Sequence, residues 1–216
     1  MFPSLVPSMM MPTVRAAVYN TIMDDLTKHW YKEVLDRLPH GAHLIDVGSG
    51  PGRSLASNAE TLKKKNISTV CIEFDKDYAK ACTAELARQN LLDRCKVVNT
   101  SVYDYVTSDP PDAAYFSCSL MVMPDPVRAL THVSSLIKPG CKIYCTQTFE
   151  HHQSAWIHVV KKALTKVTTV DFGSVTFEDE FHKTVQAANL TVEEDVFLMG
   201  TKKSDARSYR LMVLKK

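Results

Sequence analysis

The chain has 216 residues, with 26 basic against 24 acidic side chains and an apolar fraction of 45%. That length suits a single domain with a sizeable core. The near-balance of charge supplies no broad field toward nucleic acid or an anionic membrane, so a dedicated nucleic-acid binder is not expected.

The six cysteines, Cys71, Cys82, Cys95, Cys118, Cys141 and Cys145, include no CxxC pair and no histidine at zinc-like spacing. Several lie in apolar strand-like runs and read as small hydrophobes, so no metal site and a reducing, cytoplasmic setting are expected. Residues 1–12 are apolar but carry three prolines and no basic n-region. They read as a mobile tail, too short for a membrane span. The expected domain is 13–216. Lys63-Lys64-Lys65 and Lys161-Lys162 read as solvated helix faces.

In chain order, Val14, Val18, Ile22, Leu26, Trp30, Val34 and Leu38 recur every four residues behind Thr13, a good N-cap. The spacing predicts a long amphipathic helix over 13–38, whole or broken in two, placed as a lid. Pro39-His40-Gly41 ends it, and His43 to Val47 reads as a buried strand stopped by glycines. A helix from Ser54 to Lys65, a strand Thr69 to Phe74, a helix Lys76 to Asn90, and strands Lys96 to Asn99 and Asp112 to Ser119 follow. A helix Pro126 to Ile137 stops at Lys138-Pro139-Gly140 before the strand Lys142 to Phe149. Then come a helical stretch Ser154 to Lys166, a helix Glu178 to Asn189, and strands Thr191 to Met199 and Arg207 to Leu214 joined by the polar turn Gly200 to Asp205. Alternation of this kind means parallel strands with crossover helices. The expected fold is α/β: a seven-stranded, mostly parallel sheet with helices on both faces and a C-terminal antiparallel hairpin.

Leu44-Ile45-Asp46-Val47-Gly48-Ser49-Gly50-Pro51-Gly52 is a strand running into a glycine-rich turn that opens a helix. Glycines there let a ligand approach the backbone at the carboxyl edge of the sheet. The spacing is GxGxG, and Arg53 stands where the dinucleotide fingerprint needs its last glycine. Asp46 beside the turn would repel a pyrophosphate but can accept from, or pair through water with, an amino-acid ammonium, which favours S-adenosylmethionine. About 20 residues on, Glu73 ends the second strand and is placed to accept ribose hydroxyls.

These residues resemble the class I S-adenosylmethionine-dependent methyltransferases of the small single-domain kind. Ile45 to Gly52 looks like that family's first motif, which implies cofactor contacts from Asp46, Gly48, Ser49, Gly50 and Gly52. Glu73 looks like the acidic end of its second strand, with Phe74 either on the adenine face or in the core. Thr100-Ser101-Val102 sits where the family often has Gly-Asp-Ala, so Ser101 replaces an aspartate and Val102 offers backbone and apolar contact. Asp112 to Leu120 resembles the fourth strand and its tip, adding Ser117 as a contact. Met123 to Pro126 resembles the loop beyond it. Ile137 to Gly140 resembles the turn before strand five, where Cys141 replaces a common second glycine.

Asp75 reads as a helix N-cap rather than a ligand. Tyr19 either covers the cofactor or lies in the core or at the surface. His151 and His152 follow the fifth strand; His151 is the candidate general base, against a reading as solvent-loop histidines. Phe172, Phe177 and Phe181 line an acceptor pocket or belong to the core. The strand-four tip Ser117-Cys118-Ser119-Leu120 lacks the Asn/Asp-Pro-Pro-aromatic motif of methyltransferases acting on base or glutamine nitrogens. A small-molecule acceptor is expected ahead of a protein side chain. The alternatives are a non-catalytic S-adenosylmethionine-binding module and, against the glycine spacing, a nicotinamide oxidoreductase.

Overall fold

A computed structural model describes residues 26–150 and 176–216. Helix α1 covers residues 26–37 and buries Leu26, Trp30 and Val34 at the four-residue spacing, together with Tyr31 and Leu35. Strand β1 (His43–Val47) follows, then α2 (Arg53–Ala56), α3 (Ala59–Lys64), β2 (Ser68–Glu73), α4 (Lys76–Arg88), β3 (Cys95–Asn99) and β4 (Ala113–Ser117). A 3-10 turn (Leu120–Val122), α5 (Pro126–Leu136) and β5 (Lys142–Glu150) come next. Helix α6 (Glu178–Ala187) and strands β6 (Thr191–Phe197) and β7 (Arg207–Lys215) complete the described order.

The sheet order is β3-β2-β1-β4-β5-β7-β6, with only β7 antiparallel to its neighbours. β1 lies between β2 and β4, so the crossovers diverge on either side of it and leave a crevice at the carboxyl ends of β1 and β4. Open α/β sheets bind ligands at such a switch point. β1, β2 and β4 are buried almost throughout because both sheet faces are covered. One core cluster joins Leu44, Cys71 and Tyr115 to apolar residues of α1 through α4. The other joins Ile45, Ile72 and Phe116 to α5 and α6.

Two departures from expectation have local causes. The helix expected over Ser54 to Lys65 is two short helices, because Asn58 is buried and its side-chain amide donates to Ser54 O (2.8 Å) and Lys28 O (3.0 Å). Such side-chain competition for backbone acceptors interrupts a helix. The fourth strand stops at Ser117 because Cys118 takes a left-handed φ of 54°. The expected helix over Ser154 to Lys166 and the start of the 13–38 helix lie outside the described residues. Among the described residues, no helix is long and apolar enough to cross a membrane, and no group of three or more His, Cys, Asp or Glu is placed to hold a metal ion.

Candidate functional site

The glycine turn leaves β1 at the switch point, and each glycine there answers a different need. Gly48, Gly50 and Gly52 all have positive φ, at 70°, 56° and 72°. A Cβ on Gly48 would stand 2.7 Å from Ser119 Cβ at the tip of β4, so the two strand ends approach closely only because residue 48 has no side chain. A Cβ on Gly50 would meet nothing within 4 Å. The first glycine is therefore required by packing, whereas the second faces open space, as a backbone cradle for a ligand must.

Glu73, at the tip of β2, is tied to that cradle. Its Oε2 accepts from Gly50 N at 2.8 Å and its Oε1 from Asp75 N at 2.9 Å. A carboxylate offers about four acceptor sites, so each oxygen retains capacity for a hydroxyl. The β2 tip is braced from β3, since Asn99 Nδ2 donates to both Glu73 O and Phe74 O at 2.9 Å. Phe74 itself is 79% exposed, which settles its placement outside the core. Asp75 caps α4, accepting from Asp77 N and Tyr78 N as expected.

Asp46 lies beneath the turn and is fully buried. Its Oδ2 accepts from the Tyr31 hydroxyl at 2.8 Å, and its Oδ1 has no hydrogen-bond partner among the described residues. Burial pushes its pKa up to about 7, against the lowering effect of the Tyr31 bond, with the Glu73 charge adding to the rise. Ser49 is also buried, with its hydroxyl 3.9 Å from Cys82 Sγ.

Ser101 begins the turn after β3, where its hydroxyl accepts from Tyr103 N at 3.3 Å. Val102 is buried in the core cluster that also holds Leu120 and Phe116. Ser117 is half-buried in register with Thr146, and Ser119 donates to Val47 O, tying β4's tip to β1. Burial pushes the Cys118 thiol up to about 11, so it stays protonated at neutral pH.

The structure thus brings Asp46, Gly48, Ser49, Gly50, Gly52, Glu73 and Phe74 together around one turn, with Ser101, Val102 and Ser117 on the adjoining strand ends. His151, His152, Tyr19 and Phe172 lie outside the described residues. Phe181 is core: it is fully buried and packs edge-on to Phe149 at 5.5 Å, which decides between its two readings, pocket or core, for the second. Phe177 is half-buried just before α6. Sequence reasoning missed Tyr31, Cys82 and Ser119. Tyr31 lies beside the four-residue apolar stripe of α1 rather than on it, and nothing local tied it to a carboxylate in another element.

Comparison with known proteins decides the family. The methyltransferase-domain family matches residues 19–195. The chain belongs to that family. A demethylmenaquinone methyltransferase of Lactiplantibacillus plantarum is 24% identical over 129 residues, which are 58% of this chain and 54% of that protein. The chain therefore spans about half the length of this curated relative. Among solved structures, the mitomycin 7-O-methyltransferase MmcR superposes with a TM-score of 0.69 at 18% identity, covering 95% of this chain and 58% of that one. Geranyl diphosphate C-methyltransferase from Streptomyces coelicolor A3(2), in complex with Mg2+, geranyl diphosphate and S-adenosyl-L-homocysteine, superposes with a TM-score of 0.67 at 12% identity, covering 98% and 86%. The fold is that of the class I methyltransferases.

Proposed function

We propose that this methyltransferase-family chain transfers a methyl group from S-adenosylmethionine to a small, largely apolar acceptor. The observation that carries the proposal is the Glu73 carboxylate held 2.8 Å from Gly50 N, where a glycine faces open space at the switch point. The residues present suit that cofactor: a carboxylate with spare acceptor capacity for a ribose, a buried unpartnered oxygen on Asp46 for an ammonium, and an exposed Phe74 for a flat base. A dinucleotide fits less well, because its pyrophosphate would face two carboxylates at this turn.

When bound, that cofactor supplies a methyl already activated by its own sulfonium, so the protein needs to furnish no nucleophile. The chain's part is to bind, orient and exclude water. Gly48 to Gly52 and Glu73 would hold the nucleoside, while Ser101 and Val102 would flank the base. Residues Ser117 to Met123 carry no carboxylate or histidine, and the Cys118 thiol stays protonated. An acceptor approaching this strand tip therefore meets no base there and must bring a nucleophile that ionises readily, or find its base elsewhere. His151 is our candidate for that second route.

Val122, in the 3-10 turn beyond β4, is 51% exposed, which supports an apolar acceptor. The acceptors named for the relatives, demethylmenaquinone, mitomycin and geranyl diphosphate, are small molecules and support the same choice.

Calorimetric titration with S-adenosylmethionine, S-adenosylhomocysteine and nicotinamide dinucleotides, on the wild type and Glu73→Ala, tests the cofactor. Binding of the sulfur nucleosides that is lost in the variant is expected; preference for a dinucleotide would overturn the reading. A radiolabelled-methyl assay on lipid-extracted and protein fractions then tests the acceptor, with label expected in the former.

A further inference from the structure

The two oxygens of Asp46 have different surroundings. Oδ2 takes the Tyr31 hydroxyl at 2.8 Å, while Oδ1, also buried, has no partner among the described residues. Tyr31 is itself fixed, packing edge-on against Tyr115 with ring centres 4.8 Å apart. The helix that carries it is pinned to the segment just after the glycine turn: Thr27 Oγ1 lies 2.6 Å from Ser54 Oγ, and Lys28 O accepts from Asn58 Nδ2 at 3.0 Å. One neutral donor does not offset the desolvation of an ionised carboxylate in a fully buried position. A buried acceptor atom with no partner among the described residues, in the strand that leads into a candidate ligand cradle, calls for a further partner.

We infer that Tyr31 is a positioning residue for the cofactor's ammonium: it engages one oxygen of Asp46 and leaves the other for the cationic amino-acid head, directly or through one water, so that seating of α1 and cofactor capture are linked. This rests on the S-adenosylmethionine reading.

A pH signature follows. The titratable groups around Asp46 are Tyr31 from α1, Tyr115 from β4, Cys71 and Glu73 from β2, and Cys95 from β3. Burial raises Tyr31 and Tyr115 above their ordinary values and pushes Cys95 up to about 12; Cys71 is raised by its hydrogen bond with Cys82 and by burial. Asp46, at about 7, changes charge close to neutrality. An ammonium partner requires the ionised form, so the binding-competent fraction grows as pH rises through that value.

The test is calorimetric titration with S-adenosylhomocysteine between pH 6 and 7.5, where the ammonium of a free amino acid stays protonated. Using buffers of different ionisation enthalpy gives the protons released. For the wild type, affinity should rise about eightfold over that interval, with about nine-tenths of a proton released at pH 6 and about a quarter at pH 7.5. Tyr31→Phe removes the bond that lowers the carboxyl's pKa, so its loss of affinity should be greatest at pH 6 and shrink as pH rises. Asp46→Asn should bind weakly and without pH dependence.

Three results would overturn the inference. One is wild-type affinity that is flat in pH with no proton released, and another is a Tyr31→Phe loss of equal size at every pH, the mark of a merely structural role. The third, no binding of either sulfur nucleoside at any pH, overturns the cofactor reading itself. Should Tyr31→Phe fail to fold, wild-type proton release and the Asp46→Asn profile decide alone.

Discussion

Gly52 is pressed against Cys82: a Cβ at position 52 would stand 2.5 Å from Cys82 Sγ and 3.2 Å from its Cα. The glycine turn is thereby seated on α4, the helix that follows β2, and the spacing of the motif is in part a packing requirement. Gly52→Ala should lower stability by roughly 2–4 kcal/mol, from overpacking against a core helix together with a left-handed φ. Urea unfolding measures it. Cys82→Ala in the same chain should recover part of the loss, and a single-variant change under about 0.5 kcal/mol would contradict the clash.

Gly50→Ala should separate stability from binding. Its φ of 56° makes any side chain mildly unfavourable, but nothing lies within 4 Å of the added carbon. The unfolding free energy should therefore fall by only about 1–2 kcal/mol, the cost of the left-handed backbone alone. Affinity for S-adenosylhomocysteine should fall at least about tenfold, because a methyl would occupy the cradle at the amide that Glu73 engages. Wild-type affinity in this variant would mean that the open space beside Gly50 holds no ligand.

Why some of this was legible in the sequence and some was not depends on how local each signal is. The β1 strand and its turn were readable from an apolar run stopped by glycines, and the His43–Val47 boundaries agree with the structure. Asp75 as N-cap was readable because capping involves residues only two and three positions away. The break at Asn58 was not, since it depends on an amide reaching Lys28 O across 30 residues of sequence. Tyr31 on Asp46 and Gly48 against Ser119 are likewise contacts between elements, and a single sequence carries no record of which strand tips meet.

Asp46 makes the ligand-free protein less stable as pH rises. Its pKa in the fold, about 7, exceeds the ordinary 3.8, so the folded state holds the proton where the unfolded chain has released it. Its contribution is whole below the ordinary value and is lost as pH climbs through about 7. Between pH 5 and pH 8 the loss should be roughly 3 kcal/mol. Asp46→Asn carries no titratable group there, so urea unfolding at the two pH values should show a smaller decline than in the wild type. An equal decline in both proteins would place the titration on another residue.

Arg210 fixes the C-terminal hairpin by the opposite logic, since here the buried charge is well paired. It is 2% exposed on β7; its guanidinium donates to Asp195 of β6 through Nε (2.7 Å) and Nη2 and to Glu178 of α6 through Nη2 (3.3 Å), while Nη1 stands in ion-pair contact with Glu178 (2.8 Å) without a hydrogen bond among the described residues. The same group lies 4.9 Å from the Phe149 ring centre and 5.1 Å from that of Phe197. Arg210→Ala would leave two partly exposed carboxylates unpaired and empty the space between two rings, at a cost of roughly 2–4 kcal/mol, mostly from lost packing. Arg210→Met, which restores volume without charge, should cost less. The Glu178 carboxyl is held below its ordinary 4.5, chiefly by hydrogen bonding to Arg210, so its contribution is present above that pH and is lost as pH falls through the folded value. Acid titration of stability should therefore show a component below pH 4.5 that Arg210→Met weakens and Glu178→Gln removes. Because the partners of Arg210, namely Asp195, Glu178, Phe149 and Phe197, are not residues of the candidate site, cofactor affinity should be spared in Arg210→Met wherever the sheet remains folded. A variant that folds with normal cooperativity yet loses the cofactor would mean that this ion cluster acts on the site directly.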